Sequence, residues 1–247
     1  MSSHPKSQKR SHPSPDKLAH VVFRTNPEMY QAMVDFYLQI LNANIRHEDP
    51  GKIAFLSFDE EHHRLAILAV PGLRTPSPDD PPRVGLDHIA FTYKNLTQLA
   101  QLYVGLRDHL SAPLKPVWSI NHGPTTSLYY RDPQGNKVEM QVDNFDTMDK
   151  ADAYMKSNEF AENPLGVEFD PDEWSRKILA KMQPDGSEGR TLGQDQTFHK
   201  KSSSALFERT KCPFNMFMRV KARARASDKE PQASNYVIEK GCETGAG

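Results

Sequence analysis

The sequence predicts an α+β fold built from two βαβββ modules. The main observation is an internal repeat, because LAHVVFRT at residues 18–25 resembles LDHIAFTY at residues 86–93. Each copy reads as a strand followed by a helix, and each helix leads into further extended segments. We expect one module at residues 17–72 and the other at 84–146, together forming a single domain over 17–146.

Apolar periodicity places one helix in each module. In residues 27–41, one helical face carries Met29, Met33, Phe36, Tyr37 and Ile40. Leucines recur at similar spacing through residues 95–110, with Asn95 as the expected N-cap. The strands that follow the helices are predicted at residues 44–47, 52–58 and 64–70 of the first module, and at 117–120, 126–131 and 137–142 of the second. The last two strands are joined by DPQGN, a strong hairpin turn signal.

The remaining segments are polar. Residues 1–16 and 183–247 hold too few apolar side chains to offset the entropy of ordering, so both are expected to be disordered. Residues 147–182 are predicted to form a helical extension packed on the surface, with helices from Thr147 to Met155 and from Pro171 to Met182.

Composition excludes several function classes. A formal net charge of −1 gives no general attraction to nucleic acid or to anionic membranes, and no apolar run is long enough to span a bilayer. The basic run at 218–226 is interpreted as part of a solvated tail. The two cysteines, Cys212 and Cys242, provide no disulfide framework, so a reducing, cytoplasmic location is expected.

Three polar residues interrupt apolar strands and form a candidate metal-ligand set. His20 and His88 hold the same place in the two repeats, and Glu139 lies in the strand VEMQV. Strand alternation places Val138 and Met140 on one face and Glu139 on the other. If that second face is the concave one, the carboxylate of Glu139 requires a cation. Two imidazoles and one carboxylate leave coordination positions open, as a non-haem Fe(II) oxygenase requires.

The repeat and the hairpin together resemble the vicinal oxygen chelate superfamily, which includes glyoxalases, bleomycin-resistance proteins and extradiol dioxygenases. The resemblance covers about residues 18–145, and its most specific parts are the HIAF strand and the segment YYRDPQGNKVE. It implies two paired modules whose curved sheet encloses one metal site.

The members that these motifs resemble most are the extradiol ring-cleavage dioxygenases. This resemblance implies that His20, His88 and Glu139 bind Fe(II), with Mn(II) as an acceptable substitute. It also implies that His122 and Tyr129 act on the substrate, a catechol-like aromatic diol, and on O₂. A homodimer is expected on the same ground.

Two features qualify this interpretation. Glyoxalase I-like relatives use four protein ligands, but aligning Val70 with Val142 makes Ile67 the counterpart of Glu139, and isoleucine cannot bind a metal. His62 and His63 lie in a charged turn and are interpreted as solvated. The family's usual catalytic histidine has no counterpart, because the corresponding window, residues 72–74, contains none.

Two alternatives therefore stay open. One is a metal-dependent isomerase or lyase of the glyoxalase kind, which uses the metal as a Lewis acid without O₂. The other is a non-enzymatic ligand-binding protein of the bleomycin-resistance kind, which needs no metal.

Overall fold

A computed structural model describes residues 12–75, 77 and 84–181 of the chain, and the two βαβββ modules are present in it. The first module consists of β1 (Val21–Thr25), a short 3₁₀ helix (Pro27–Met29), α1 (Tyr30–Leu41), β2 (Asn44–Asp49), β3 (Ile53–Ser57) and β4 (Leu65–Ala69). The second consists of β5 (His88–Thr92), α2 (Leu96–Arg107), β6 (Trp118–Asn121), β7 (Thr125–Arg131) and β8 (Lys137–Asp143). The predicted α+β fold class is confirmed.

Each module forms its own sheet. The first sheet has the strand order β1-β4-β3-β2, and the second has the order β5-β8-β7-β6-β9, where β9 (Val167–Glu168) comes from the C-terminal extension. The first strand of each module pairs in parallel with the last, and the remaining pairs are antiparallel. As a result, β1 and β5 each lie at an edge of their sheet.

The two helices lie between the two sheets. Helix α1 packs on β3 and β4, α2 packs on β8, and the helices contact each other. The shared core includes Phe23, Met33, Tyr37, Ile40, Leu56, Ile67, Leu99, Tyr103, Leu128, Tyr130, Val138 and Met140. Direct contacts between the modules include the hydrogen bond that Tyr37 Oη donates to Asp132 Oδ2 at 3.0 Å and the edge-to-face contact between the rings of Phe58 and Phe91. The opposite face of each sheet therefore points outward.

Local signals in the sequence set the ends of these elements. The side chain of Asn95 accepts a hydrogen bond from the Gln98 amide and so caps α2, as predicted. In the turn between β7 and β8, Asp132 Oδ1 accepts from the amides of Gln134 and Asn136. Gly135 has φ +83°, a conformation that glycine adopts without steric cost.

The extension contains three helices, α3 (Met148–Met155), α4 (Asn158–Glu162) and α5 (Pro171–Leu179). The two helices expected there are present, whereas α4 and β9 were not predicted. Helix α5 packs on α2, where Asp172 accepts hydrogen bonds from Tyr103 and Arg107. Strand β9 pairs with β6, so the extension also lengthens the second sheet.

Several expectations fall outside the described residues. They concern most of the N-terminal segment 1–16, the basic run at 218–226 and the tail 183–247. Among the helices that are described, none has the length and apolar character needed to cross a membrane.

Candidate active site

The outward face of the second sheet carries most of the predicted functional residues. Alternation along β8 turns Val138 and Met140 into the core and Glu139 to the opposite face, as expected. The strand register places Tyr129 of β7 and Ala90 of β5 directly beside Glu139. The adjacent Tyr130 points the other way and lies in the core.

Glu139 lies at the centre of this group and is buried, with a side chain only 6% exposed. Its Oε1 accepts a hydrogen bond of 2.9 Å from the Tyr129 hydroxyl, and its Oε2 lies 3.0 Å from His88 Nε2. The other ring nitrogen of His88 lies 2.7 Å from Asp87 Oδ2, which orients the imidazole. Hydrogen bonds from His88 and then from Lys137 lower the pKa of the Asp87 carboxyl.

His122 extends the group on the far side of Tyr129. Its Nε2 lies 3.0 Å from the Tyr129 hydroxyl, and its Nδ1 lies 2.6 Å from the carbonyl oxygen of Leu165 in the extension. Because a carbonyl oxygen can only accept, Nδ1 carries a proton, which leaves Nε2 of the neutral ring as an acceptor. Burial, and then the charge of Glu139 and its hydrogen bond, raise the pKa of Tyr129 far above its usual value.

An aromatic wall stands next to these polar groups. The ring centroid of Trp118 lies 5.0 Å from that of Tyr129 and 5.6 Å from that of His122. The indole nitrogen of Trp118 donates to Glu168 of β9 at 2.6 Å. The extension therefore fixes both Trp118 and His122, although surface packing, rather than cover of the cleft, was the favoured interpretation of this segment.

His20 lies apart from this group, on the outward face of the first sheet. It is exposed, and its ring centroid lies 4.5 Å from that of His63, which in turn contacts Phe55. His63 is thus half-buried rather than solvated, and burial followed by the charges of His20 and His62 lowers its pKa. Across the described part of one chain, no three His, Cys, Asp or Glu side chains are arranged to hold a metal ion.

The prediction that Ile67 is the counterpart of Glu139 in the first module is wrong by one residue. Ala90 pairs with Glu139, and the equivalent pair in the first sheet is Val22 with Ala66. Ala66, not Ile67, is therefore the structural counterpart, and Ile67 lies in the core. The consequence is unchanged, because an alanine side chain cannot bind a metal either.

Sequence reasoning missed three contributors to the site: Trp118, Asp87 and the Leu165 carbonyl. Asp87 directly precedes the candidate ligand His88, and its carboxylate orients the imidazole. The sequence alone could have identified it, because a carboxylate next to a histidine ligand is a common orienting partner. Trp118 was predicted only as part of the strand at residues 117–120. A main-chain carbonyl leaves no trace in side-chain patterns.

Comparison with known proteins gives consistent matches. The sequence profile of the Glyoxalase/Bleomycin resistance protein/Dioxygenase superfamily matches residues 17–140. The chain is 45% identical over 155 residues to biphenyl-2,3-diol 1,2-dioxygenase 2 of Rhodococcus globerulus, covering 63% of this chain and 77% of that enzyme. It is 44% identical over 155 residues to biphenyl-2,3-diol 1,2-dioxygenase 3 of the same organism, covering 63% and 78%. Among solved structures, a glyoxalase/dioxygenase from Nostoc punctiforme matches 55% of this chain and 99% of that chain, with a TM-score of 0.40 and 22% identity.

Proposed function

Because the chain belongs to the glyoxalase/bleomycin resistance protein/dioxygenase superfamily, we propose that it is an Fe(II)-dependent extradiol-type dioxygenase that opens a catechol-like aromatic diol with O₂. The observation that carries the proposal is the grouping of His88, Glu139, Tyr129 and His122 on one sheet face. The names of the two relatives support the same reaction type, since both are diol dioxygenases.

The donor set fits a ferrous ion. Glu139 is a buried carboxylate on an outward face, and burying a carboxylate is costly unless a cation neutralises it. His88 Nε2 lies beside it, and His20 is the proposed third ligand. Fe(II) or Mn(II) suits a site of two imidazoles and one carboxylate, and the bound ion would hold the diol and O₂ together for electron transfer.

Tyr129 and His122 are the proposed proton-handling residues. The Tyr129 hydroxyl has one proton but two acceptors within reach, Glu139 Oε1 and His122 Nε2. If Glu139 binds a metal, the O–H group of Tyr129 no longer has to donate to Glu139. It can then turn towards His122 or towards a substrate oxygen. Nε2 of His122 can then accept a proton from the diol, since Nδ1 stays protonated against the Leu165 carbonyl.

Trp118 explains why an aromatic substrate fits this site. Its half-buried ring lies beside Tyr129 and His122, so a flat ring bound there would have an aromatic side chain to pack against. A diol ring packed there would have its hydroxyl groups near Tyr129 and Glu139, which are hydrogen-bonded to each other.

The proposal is tested by reconstituting the wild type and Glu139→Ala with Fe(II) under anaerobic conditions. We expect about one iron per chain in the wild type, together with O₂ uptake that depends on a catechol, and loss of both in the variant. Bound metal without O₂ uptake for any catechol in a broad panel would refute the dioxygenase and favour Lewis-acid chemistry. Absence of metal binding would refute the metal centre itself.

A further inference from the structure

We propose that Asn163 is a positioning residue, whose side chain aims the Leu165 carbonyl oxygen at His122 and thereby determines which ring nitrogen of His122 carries the proton. The inference deepens the proposed function and rests on it, since a free acceptor at His122 Nε2 matters for turnover only if the site handles a proton. Asn163 belongs to the C-terminal extension and acts on the site through the backbone of the turn that follows it.

The side chain of Asn163 closes the turn between α4 and β9. Its Nδ2 donates to the Gly166 carbonyl oxygen at 2.8 Å, and its Oδ1 accepts from the Gly166 amide at 3.1 Å. One amide side chain thus binds both backbone groups of Gly166. Loss of this side chain removes two hydrogen bonds from a turn of four residues.

Asn163 and His122 bind opposite sides of one peptide group. The Gly166 N–H and the Leu165 carbonyl belong to the same planar unit, and in a trans peptide they point in opposite directions. The N–H donates to Asn163 Oδ1, while the carbonyl oxygen lies 2.6 Å from His122 Nδ1. Fixing the N–H therefore fixes the direction of the carbonyl.

The turn packs directly against the backbone beside His122. Gly166 has φ +97°, and a Cβ there would overlap the Asn121 carbonyl oxygen and the Cα of His122. Strand β9 continues the contact, because Val167 pairs with Asn121. The turn is thus held at the right distance from His122, and the Asn163 side chain sets the orientation of the peptide group within it.

Other contacts hold the backbone of His122. Its amide donates to the Thr125 carbonyl oxygen at 2.8 Å, and the Asn144 side chain donates to the Gly123 carbonyl oxygen at 2.8 Å. None of these hydrogen bonds involves Asn163. Removing the Asn163 side chain should therefore leave the loop in place and change the partner of the imidazole.

The chemical consequence concerns the proton of the neutral imidazole. A carbonyl oxygen can only accept, so the Leu165 carbonyl keeps the proton on Nδ1 and leaves Nε2 as the acceptor that faces the Tyr129 hydroxyl at 3.0 Å. Without an aimed carbonyl, the proton can occupy either nitrogen. Chains that carry it on Nε2 have no acceptor there for a substrate proton.

Nuclear magnetic resonance of the ¹⁵N-labelled full-length chain tests the tautomer directly. Long-range ¹H–¹⁵N spectra of the iron-free protein are recorded at about pH 8, above the ordinary histidine pKa of about 6.5, and His122 is assigned by its loss in His122→Ala. We expect the proton on Nδ1 in the wild type and a mixture of both tautomers in Asn163→Ala. Asn158→Ala is the matched control, because Asn158 is an exposed asparagine of the same extension, and its spectrum should match the wild type.

Kinetics of the Fe(II)-loaded protein test the consequence for turnover. General acid–base catalysis contributes about 10²–10⁴-fold and only a fraction of the chains loses the acceptor, so Asn163→Ala should lower kcat by about 5-fold with KM and iron content unchanged. In a His122→Ala background the same substitution should cause no further loss, because it acts only through His122. Asn163→Asp keeps an acceptor for the Gly166 amide, so it should retain more of the Nδ1 tautomer and more of kcat than Asn163→Ala.

The outcomes separate this inference from the proposed function. If His122 keeps its proton on Nδ1 alone in Asn163→Ala, or if kcat falls equally in the His122→Ala background, the inference is wrong. If Asn163→Ala does not fold, Asn163→Asp carries both measurements. A wild type without iron or O₂ uptake would instead contradict the proposed function, and the spectra would still decide whether Asn163 sets the tautomer.

Discussion

Replacing Tyr37 by phenylalanine should weaken the contact that joins the two modules. Tyr37 is fully buried in α1, and its hydroxyl donates to Asp132 in the turn between β7 and β8. Phenylalanine preserves the ring and its contacts with Phe23 and Phe36. The substitution therefore removes one hydrogen bond between the modules and little else.

The magnitude follows from what Asp132 retains. Its carboxylate is 4% exposed and keeps the donors of Asn136 and Gln134, so it is not left without partners. Burial raises the pKa of Asp132, whereas the hydrogen bonds from Asn136 and Tyr37 lower it, so loss of the Tyr37 donor raises it further. We expect the free energy of unfolding to fall by about 1–3 kcal/mol, as for a buried hydrogen bond to a carboxylate.

The assay is urea unfolding at pH 7, followed by circular dichroism. Thermal unfolding offers a check, since each kcal/mol shifts Tm by about 2–4 °C in a chain of this size. Tyr130 provides a matched control, because its hydroxyl is buried without a hydrogen-bond partner among the described residues. Tyr130→Phe should be neutral or stabilising. Equal effects of the two substitutions would show that the hydrogen bond from Tyr37 to Asp132 does not stabilise the fold.

Three further predictions concern the site and its support. Tyr129→Phe should lower kcat by about 10²-fold or more while iron content stays unchanged, because only a proton-handling hydroxyl is lost; O₂ uptake and metal analysis test this. Gly166→Ala should lower the free energy of unfolding by about 1–2 kcal/mol or more, because Gly166 has φ +97° and a Cβ would overlap the backbone of Asn121. Gly135→Ala is the control, since a Cβ at Gly135 would meet open space. In the same urea titration, Gly135→Ala should lower the free energy of unfolding by less. Asp172→Asn should lower the urea midpoint at pH 7, with the difference from the wild type shrinking in acid.

The sign of the last effect follows from the lowered pKa of Asp172, which hydrogen bonds from Tyr103 and then Arg107 produce. A carboxylate with a depressed folded-state pKa stabilises the fold above its unfolded pKa of about 3.9. That stabilisation disappears as the pH falls through the folded-state value. A stability difference between Asp172→Asn and the wild type that persists in acid would contradict the stabilising role of the Asp172 carboxylate. A decrease in the iron content of Tyr129→Phe would contradict the role given to Tyr129. Equal losses of stability in Gly166→Ala and Gly135→Ala would contradict the clash at Gly166.

The repeat made most of the fold predictable. Strand and helix periodicity depends on local geometry, so the order of elements in both modules could be derived from sequence alone. The alternation that separates Glu139 from Met140, and Tyr129 from Tyr130, follows from the same geometry. The repeat identified His20 and His88 as candidate ligands and alternation identified Glu139, whereas His122 and Tyr129 were predicted from the family resemblance.

The packing of the modules was not predictable, because it depends on contacts between residues far apart in the chain. The hydrogen bond from Tyr37 to Asp132 spans 95 residues, and no local pattern encodes it. For the same reason, the sequence predicted that His20 and His88 bind one metal ion but could not show whether both ligands come from the same chain. The one-residue error at Ile67 arose because aligning strand ends ignores the register of the parallel pair.

Mass analysis of the product from a catechol and ¹⁸O₂ with the Fe(II)-loaded wild-type protein tests the proposed dioxygenase reaction itself. We expect a ring-opened product, cleaved beside the diol, that contains both atoms of O₂. A product without label, or one cleaved between the two hydroxyl-bearing carbons, would contradict it.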